Sequence, residues 1–228
     1  MIKALLWDVD GTLLDFKAAE SAAIRRLFGE FSLGECTDEM IRRYSAINEE
    51  FWQRLERNEI TKQQVLIGRY EQFFAEIGVP VSLAVEFNRR YQVRLGDTIV
   101  LRDDSYSIVK SLRGRVRQYV VSNGTVIAQS RKLEGSGLGE MMDGVFLSEA
   151  LGVEKPNKAF FDAVMERICP EAPEEVMIIG DSLTSDIRGG NNAGIKTCWY
   201  NPEGKTAPDE YKIDYVIADL HEIDSLLK

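Results

Sequence analysis

The sequence predicts an α/β protein, a parallel sheet with helices on both faces and a helical unit inserted early in the chain. Three observations carry this prediction. The apolar run Ala4-Leu5-Leu6-Trp7 stops abruptly at Asp8-Val9-Asp10-Gly11-Thr12. Strand-like and helix-like patterns alternate from about residue 100 onward, as parallel sheets require of their crossovers. Between these regions lie apolar stripes of helical period with little strand character.

A strand buried on both faces reads as a continuous hydrophobic run, so Ala4–Trp7 is the first strand. Met40, Tyr44, Ile47, Phe51 and Leu55 recur at spacings of three and four after a cap at Thr37 or Asp38, which gives a helix. Thr61 caps a second helix with the stripe Leu66, Tyr70, Phe73 and Ile77, ended by Gly78 and Pro80. Ser82 is expected to cap a third, with Leu83, Phe87, Tyr91 and Leu95 on one face. A helix over Ser105–Leu112 then precedes a strand at Val116–Val121. Further strands are expected at Gly144–Leu147, Val176–Ile179, Ile195–Trp199 and Tyr215–Ile217.

Composition narrows the function. The 228 residues are 44% hydrophobic and 29% charged, ordinary for a globular protein. No apolar segment approaches the roughly 20 residues that span a bilayer. The early aspartates argue against reading the first residues as a signal peptide. Cys36, Cys169 and Cys198 are odd in number and widely spaced, against a disulfide framework or a zinc site, and a reducing cytoplasm is the expected compartment. A net charge of −9 without a basic run disfavours nucleic-acid polymers, yet permits a small phosphorylated substrate beside a cation. The single histidine, His221, reads as a structural residue of the C-terminal segment, which excludes mechanisms that need a histidine pair.

The chemistry gathers at predicted strand ends. Asp8 and Asp10 end the first strand, Ser122-Asn123-Gly124 ends the second, and Asp181 and Asp186 follow Val176–Ile179, with Lys155 between the last two groups. Four aspartates against one lysine leave a formal −3, and a phosphate monoester adds about −2, so roughly −5 would collect in one place. A hard divalent cation relieves this, and carboxylates suit Mg²⁺. Asp8 and Asp10 share a face of an extended strand, so both can meet one phosphoryl group. Ser122 and the Asn123 N–H can donate hydrogen bonds to an anion at the same strand ends. Pro156, favoured at a first helical position, is expected to set Lys155 at a helix N-terminus.

Taken in order, Asp8-x-Asp10, Ser122-Asn123, Lys155 and Asp181 through Asp186 resemble the four motifs of the haloacid dehalogenase (HAD) superfamily. The resemblance implies a Rossmann-like core of residues 1–15 and 97–228 with a helical C1 cap at 16–96 that governs substrate specificity. It implies that Asp8 is the nucleophile that forms an aspartyl-phosphate, and Asp10 the general acid and base. It also implies Mg²⁺ held by Asp8, the Asp10 carbonyl and Asp181, with Asp186 behind them, and phosphate held by Ser122, Asn123 and Lys155. An acidic residue at Asp10 separates phosphate-ester chemistry from halide or carbon–phosphorus cleavage. P-type ATPases share the first motif but need membrane helices.

Three further patterns lack the residues or the setting that their chemistry needs. Cys36-x₅-Arg42 has the spacing of cysteine-dependent phosphatases but two carboxylates and no glycine between. Gly204-Lys205-Thr206 lacks the earlier glycine of a phosphate loop, and Gly135–Gly139 follows a helix rather than a strand.

Asn48–Gln53, Thr184–Ile195 and Thr197–Pro202 look like the YjjG-type pyrimidine 5′-nucleotidase branch. That suggests nucleoside 5′-monophosphates, with Trp52 or Phe51 stacking on the base, Asn48 bonding its edge and Arg69 meeting an anionic group unless it pairs with Glu71 or Glu76. Phe51 lies on the apolar stripe, Trp52 just off it. The alternatives are a sugar-phosphate or phosphoglycolate phosphatase, less readily a phosphomutase, and from another class a non-catalytic phosphate- or metal-binding regulator.

Overall fold

Both faces of the opening strand are buried, because each carries apolar side chains. In the structure, a computed structural model that describes residues 1–227, Ala4–Trp7 forms β1 with every residue buried. Four helices follow: α1 (Phe16–Glu30), α2 (Asp38–Glu56), α3 (Lys62–Ile77) and α4 (Ala84–Leu95). Then come α5 (Ser105–Leu112), β2 (Arg117–Ser122), α6 (Val126–Ser136), β3 (Gly144–Leu147), the single turn α7 (Ser148–Leu151) and α8 (Lys158–Ile168). The chain continues through β4 (Val176–Gly180), a π-helical turn at Leu183–Ile187, α9 (Arg188–Ala193), β5 (Lys196–Tyr200), β6 (Tyr215–Ile217) and α10 (Ile223–Leu226).

Two compact units result, Phe16–Thr98 and Met1–Asp15 with the chain from Ile99 onward. In the second unit the strands form one parallel sheet in the order β3-β2-β1-β4-β5-β6. Alternate residues serve opposite faces. Leu5, Trp7, Val120, Met177 and Ile179 pack with Val109 and Leu112 of α5 and Leu133 of α6. Leu6, Val121, Val176 and Ile178 pack with Phe160, Phe161 and Val164 of α8. Burying apolar area on both faces at about 25 cal/mol per Å² is what holds these helices to the sheet. The order reverses about β1, with β2 on one side and β4 on the other. Open α/β sheets bind ligands at the carboxyl ends of the strands at such a switch point.

The expected stripes are buried in the helical unit in large part, but in α3 Val65 and Phe74 are buried whereas Leu66 and Ile77 are only half-buried. Thr37 caps α2 by accepting from the Met40 N–H at 3.2 Å, and Thr61 and Gln64 form a reciprocal capping box at α3. Phe28, Tyr44, Tyr70, Phe73, Phe74, Phe87 and Tyr91 make a buried aromatic cluster. The third stripe is displaced from its expected start. Val81–Leu83 forms a 3₁₀ turn and α4 begins at Ala84, so Ser82 lies within the turn and provides no cap.

No helix among the described residues is long and apolar enough to cross a membrane. Cys36 and Cys198 are buried, Cys169 is exposed, and none is disulfide-bonded. Burial pushes the Cys36 thiol up, opposite to what a cysteine nucleophile needs. His221 lies exposed in a 3₁₀ turn, its ring 2.6 Å from Asp219.

Candidate active site

The β1–β4 register delivers the first aspartate. The Asp8 N–H donates to the Ile179 carbonyl at 2.9 Å, which carries the pairing one residue past the strand and fixes Asp8 at the edge of the sheet. Gly11, at φ +96°, then turns the chain sharply. A Cβ there would lie 2.4 Å from Asp181 Oδ2, so the glycine also makes room for the aspartate that follows β4. The Thr12 hydroxyl joins the two strand ends. It accepts from the Asp181 N–H at 3.1 Å and lies 3.3 Å from Asp8 Oδ2 and 3.4 Å from Asp181 Oδ1. Trp199 on β5 donates to the Asp181 carbonyl at 3.0 Å.

Lys155 is the cationic centre. Its ammonium is 1% exposed and donates to Asp186 at 2.6 Å, Asp8 at 2.9 Å and the Val121 carbonyl at 2.9 Å. Burial opposes the charge, but the Asp186 and Asp8 carboxylates outweigh it and hold the Lys155 pKa above its ordinary value.

The helix-terminus expectation for Lys155 is corrected. The Asn157 side chain caps the following helix by accepting from the Ala159 N–H at 3.0 Å, so α8 begins at Lys158 and Pro156 lies outside it. Asn123 fixes the lysine instead: its amide donates to the Lys155 carbonyl at 2.8 Å and accepts from the Lys155 N–H at 2.9 Å. Ser122 is buried at the end of β2, its hydroxyl accepting from the Gly124 N–H at 3.0 Å.

Asp8, Asp181 and Asp186 each place a carboxylate oxygen within 4.8 Å of the others. Such crowding raises carboxyl pKa values. Burial pushes Asp8 well above the usual range, with Asp186 and Asp181 adding to the effect and Lys155 opposing it. Asp181 reaches solvent more than its two neighbours, yet desolvation and then the Asp186 charge push it up to about 7. Three hard oxygen donors whose mutual repulsion one lysine leaves uncompensated fit a divalent cation such as Mg²⁺.

Asp10 stands apart from this group. Gln129 Nε2 donates to its Oδ2 at 2.5 Å, and the buried Lys132 ammonium donates to its Oδ1. Neither partner stands out in the sequence, and Lys132 adds a second positive charge beside the four aspartates and Lys155. Their spacing of three on α6 offered a signal, since it puts both on one helix face.

In the helical unit, Asn48, Trp52 and Arg69 are joined to one another. Asn48 Oδ1 accepts from Trp52 Nε1 at 3.1 Å and from Arg69 Nη1 at 2.6 Å, while its Nδ2 donates to Glu20 at 2.9 Å. Arg69 is 2% exposed and lies against the rings of Tyr70 and Tyr91. Its Nη2 donates to Asn88 at 3.2 Å. It pairs with neither suggested glutamate, and Glu76 binds Arg43 instead. Phe51 is buried, and Trp52 is half-buried.

A model of haloacid dehalogenase-like hydrolases matches residues 2–194. The chain belongs to that family. The HAD-hydrolase YfnB of Bacillus subtilis is 36% identical over 99% of this chain and 95% of its own. A magnesium-bound crystal structure of YfnB superposes with a TM-score of 0.92 at 35% identity, over 100% of this chain and 99% of that one. Pyrimidine 5′-nucleotidase PynA of Streptococcus pneumoniae is 36% identical over 88% of this chain and 84% of its own. Pyrimidine 5′-nucleotidase YjjG of Escherichia coli is 29% identical over 98% and 96%. This HAD-like chain is therefore a hydrolase, with the family's Rossmann-like sheet.

Proposed function

We propose that the protein is a Mg²⁺-dependent phosphate monoester hydrolase that acts through an aspartyl-phosphate on Asp8. The observation that carries this reading is Asp8 itself, at the end of β1 with Lys155 at 2.9 Å and two further aspartates crowded against it. Asp8, Asp181 and the Asp10 carbonyl would hold Mg²⁺, with Asp186 ordering them, and the cation would supply charge neutralisation for the phosphoryl oxygens.

In the first step an Asp8 carboxylate oxygen attacks phosphorus, the ester P–O bond breaks, and Asp10 gives its proton to the departing alcohol. In the second, Asp10 takes a proton from water as that water's oxygen attacks phosphorus. The Asp8–phosphorus link breaks and inorganic phosphate leaves. Lys155, Ser122 and the Asn123 N–H would meet the non-transferred oxygens and stabilise charge as it develops.

Nucleoside 5′-monophosphates are the proposed substrates, pyrimidine ones first, because PynA and YjjG are pyrimidine 5′-nucleotidases by name. Within the helical unit Trp52 is the proposed stacking surface. Asn48 has its amide oxygen and nitrogen already engaged, so its role here is to orient Trp52 rather than to read a base edge, and Arg69 acts through Asn48.

Phosphate release from nucleotides, sugar phosphates and phosphoglycolate with Mg²⁺ tests both parts. Release that EDTA and Asp8→Asn abolish supports the mechanism, and release that survives Asp8→Asn defeats it. A sugar phosphate ranking above every nucleotide would replace the substrate reading.

A further inference from the structure

Asp10 ends up with both carboxylate oxygens bonded by one helix. Lys132 and Gln129, each at most 1% exposed, reach it from α6 across more than a hundred residues of sequence. The fold makes specific provision for this contact. Thr125 caps α6 by accepting from the Ala128 N–H at 3.3 Å, which fixes the turn that carries Gln129. A Cβ on Gly124 would lie 2.2 Å from Gln129 Nε2 and 2.8 Å from its Cγ, so the amide passes over a glycine on its way to Asp10. Gln129 Oε1, meanwhile, is buried without a hydrogen-bond partner. A buried amide oxygen without a partner is costly, and the fold sustains that cost here while the nitrogen of the same amide is held on Asp10.

We infer that Lys132 and Gln129 are positioning residues for the proton-transfer carboxyl of Asp10, and that Gly124 gives Gln129 its path. A lysine on one oxygen and a planar amide on the other define the orientation of the carboxyl group. A fixed orientation is what a proton donor to a leaving oxygen requires. The inference rests on the proposed role of Asp10 as general acid.

Leaving groups separate this role from a merely structural one. A nucleoside 5′-monophosphate expels a basic alkoxide that needs a proton, whereas p-nitrophenyl phosphate expels a stable phenolate that does not. Values of kcat/KM report the step in which the leaving group departs, before the shared hydrolysis of the aspartyl-phosphate. Lys132→Met, Gln129→Leu and Asp10→Asn are compared on both substrates, with thermal unfolding of each variant. Lys132→Met is expected to lower kcat/KM about 10- to 100-fold on the nucleotide and less than about threefold on p-nitrophenyl phosphate, with Asp10→Asn showing the same asymmetry more strongly. Equal losses on the two substrates, or none on either, with Asp10→Asn asymmetric, would overturn the inference and leave the proposed mechanism standing. A symmetric Asp10→Asn would remove the mechanism and the inference together. If Lys132→Met does not fold, Gln129→Leu decides by the same ratio.

Discussion

Lys155 Nζ lies 2.6 Å from Asp186 Oδ1, and both side chains are 1% exposed. Removing one partner of a buried pair strands the other charge, which costs about 3–5 kcal/mol. Here the same ammonium also serves Asp8, so Lys155→Met strands two carboxylates. Urea unfolding is expected to show a loss of about that size, together with abolished phosphate release. The contrast is Lys158, whose partner Asp162 is as open to solvent as itself. Lys158→Ala should shift stability by no more than about 0.5 kcal/mol. Equal effects at the two lysines would contradict the burial argument.

Cation binding should be coupled to proton release. Desolvation and then the Asp186 charge raise the Asp181 carboxyl to about 7, so below that pH the cation-free protein holds protons there that an ordinary carboxylate would have lost. A divalent cation must displace those protons. Mg²⁺ affinity is therefore expected to rise with pH through about 7, where Asp181 gives up its proton. Calorimetry at pH values near 6 in two buffers of different ionisation enthalpy should show protons leaving as Mg²⁺ binds. Identical heats in both buffers would mean that the carboxylates are already ionised.

Gly180 sets how closely Asp186 approaches β4. A Cβ there would lie 2.1 Å from Asp186 Oδ2 and 2.2 Å from its Cγ, and the aspartate is too enclosed to yield. Gly180→Ala should push Asp186 off Lys155, lower activity at least tenfold and destabilise the protein by about 1–3 kcal/mol. Gly29, in α1 with nothing within 4 Å of its added Cβ, is the control. Gly29→Ala is expected to stabilise by about 0.5–1 kcal/mol, because it only removes backbone freedom from the unfolded chain.

The contrast between these glycines and Lys132 shows what was legible beforehand. β1, α5, β3 and β6 lie where period and composition put them, because each is a short run whose burial pattern is local. β5 begins at Lys196, one residue later than the apolar pattern suggests, since register with β4 rather than hydrophobicity sets its start. α1 had no individual forecast, as Ala19 and Ala23 make a weak stripe. The strand-end aspartates were legible because charge after an apolar run is conspicuous. Gln129 and Lys132 were not, because charged and amide side chains on a helix ordinarily face solvent and their partner lies in a different motif. Lys155 does not sit at a helix N-terminus, since proline statistics cannot anticipate that Asn157 supplies the cap.

Glu20 offers a test of sign in the helical unit. It is 1% exposed and accepts from Asn48 at 2.9 Å and from Ser45. Burial pushes its carboxyl above the ordinary value, while Ser45, the Arg69 charge and Asn48 pull it back without prevailing. A carboxyl raised in the folded state contributes stability that is fully present below its unfolded pKa, about 4.3, and lost as pH rises through the folded value. Glu20→Gln removes that titration and keeps the contacts, since the amide oxygen can accept from Asn48 and the amide nitrogen can donate to the Ser45 hydroxyl. Thermal midpoints of the two proteins from about pH 4 to 8 should therefore diverge in favour of the glutamine variant as pH rises. A gap that moved toward the wild type with rising pH would mean that the Arg69 charge outweighs burial and that Glu20 is held as a carboxylate.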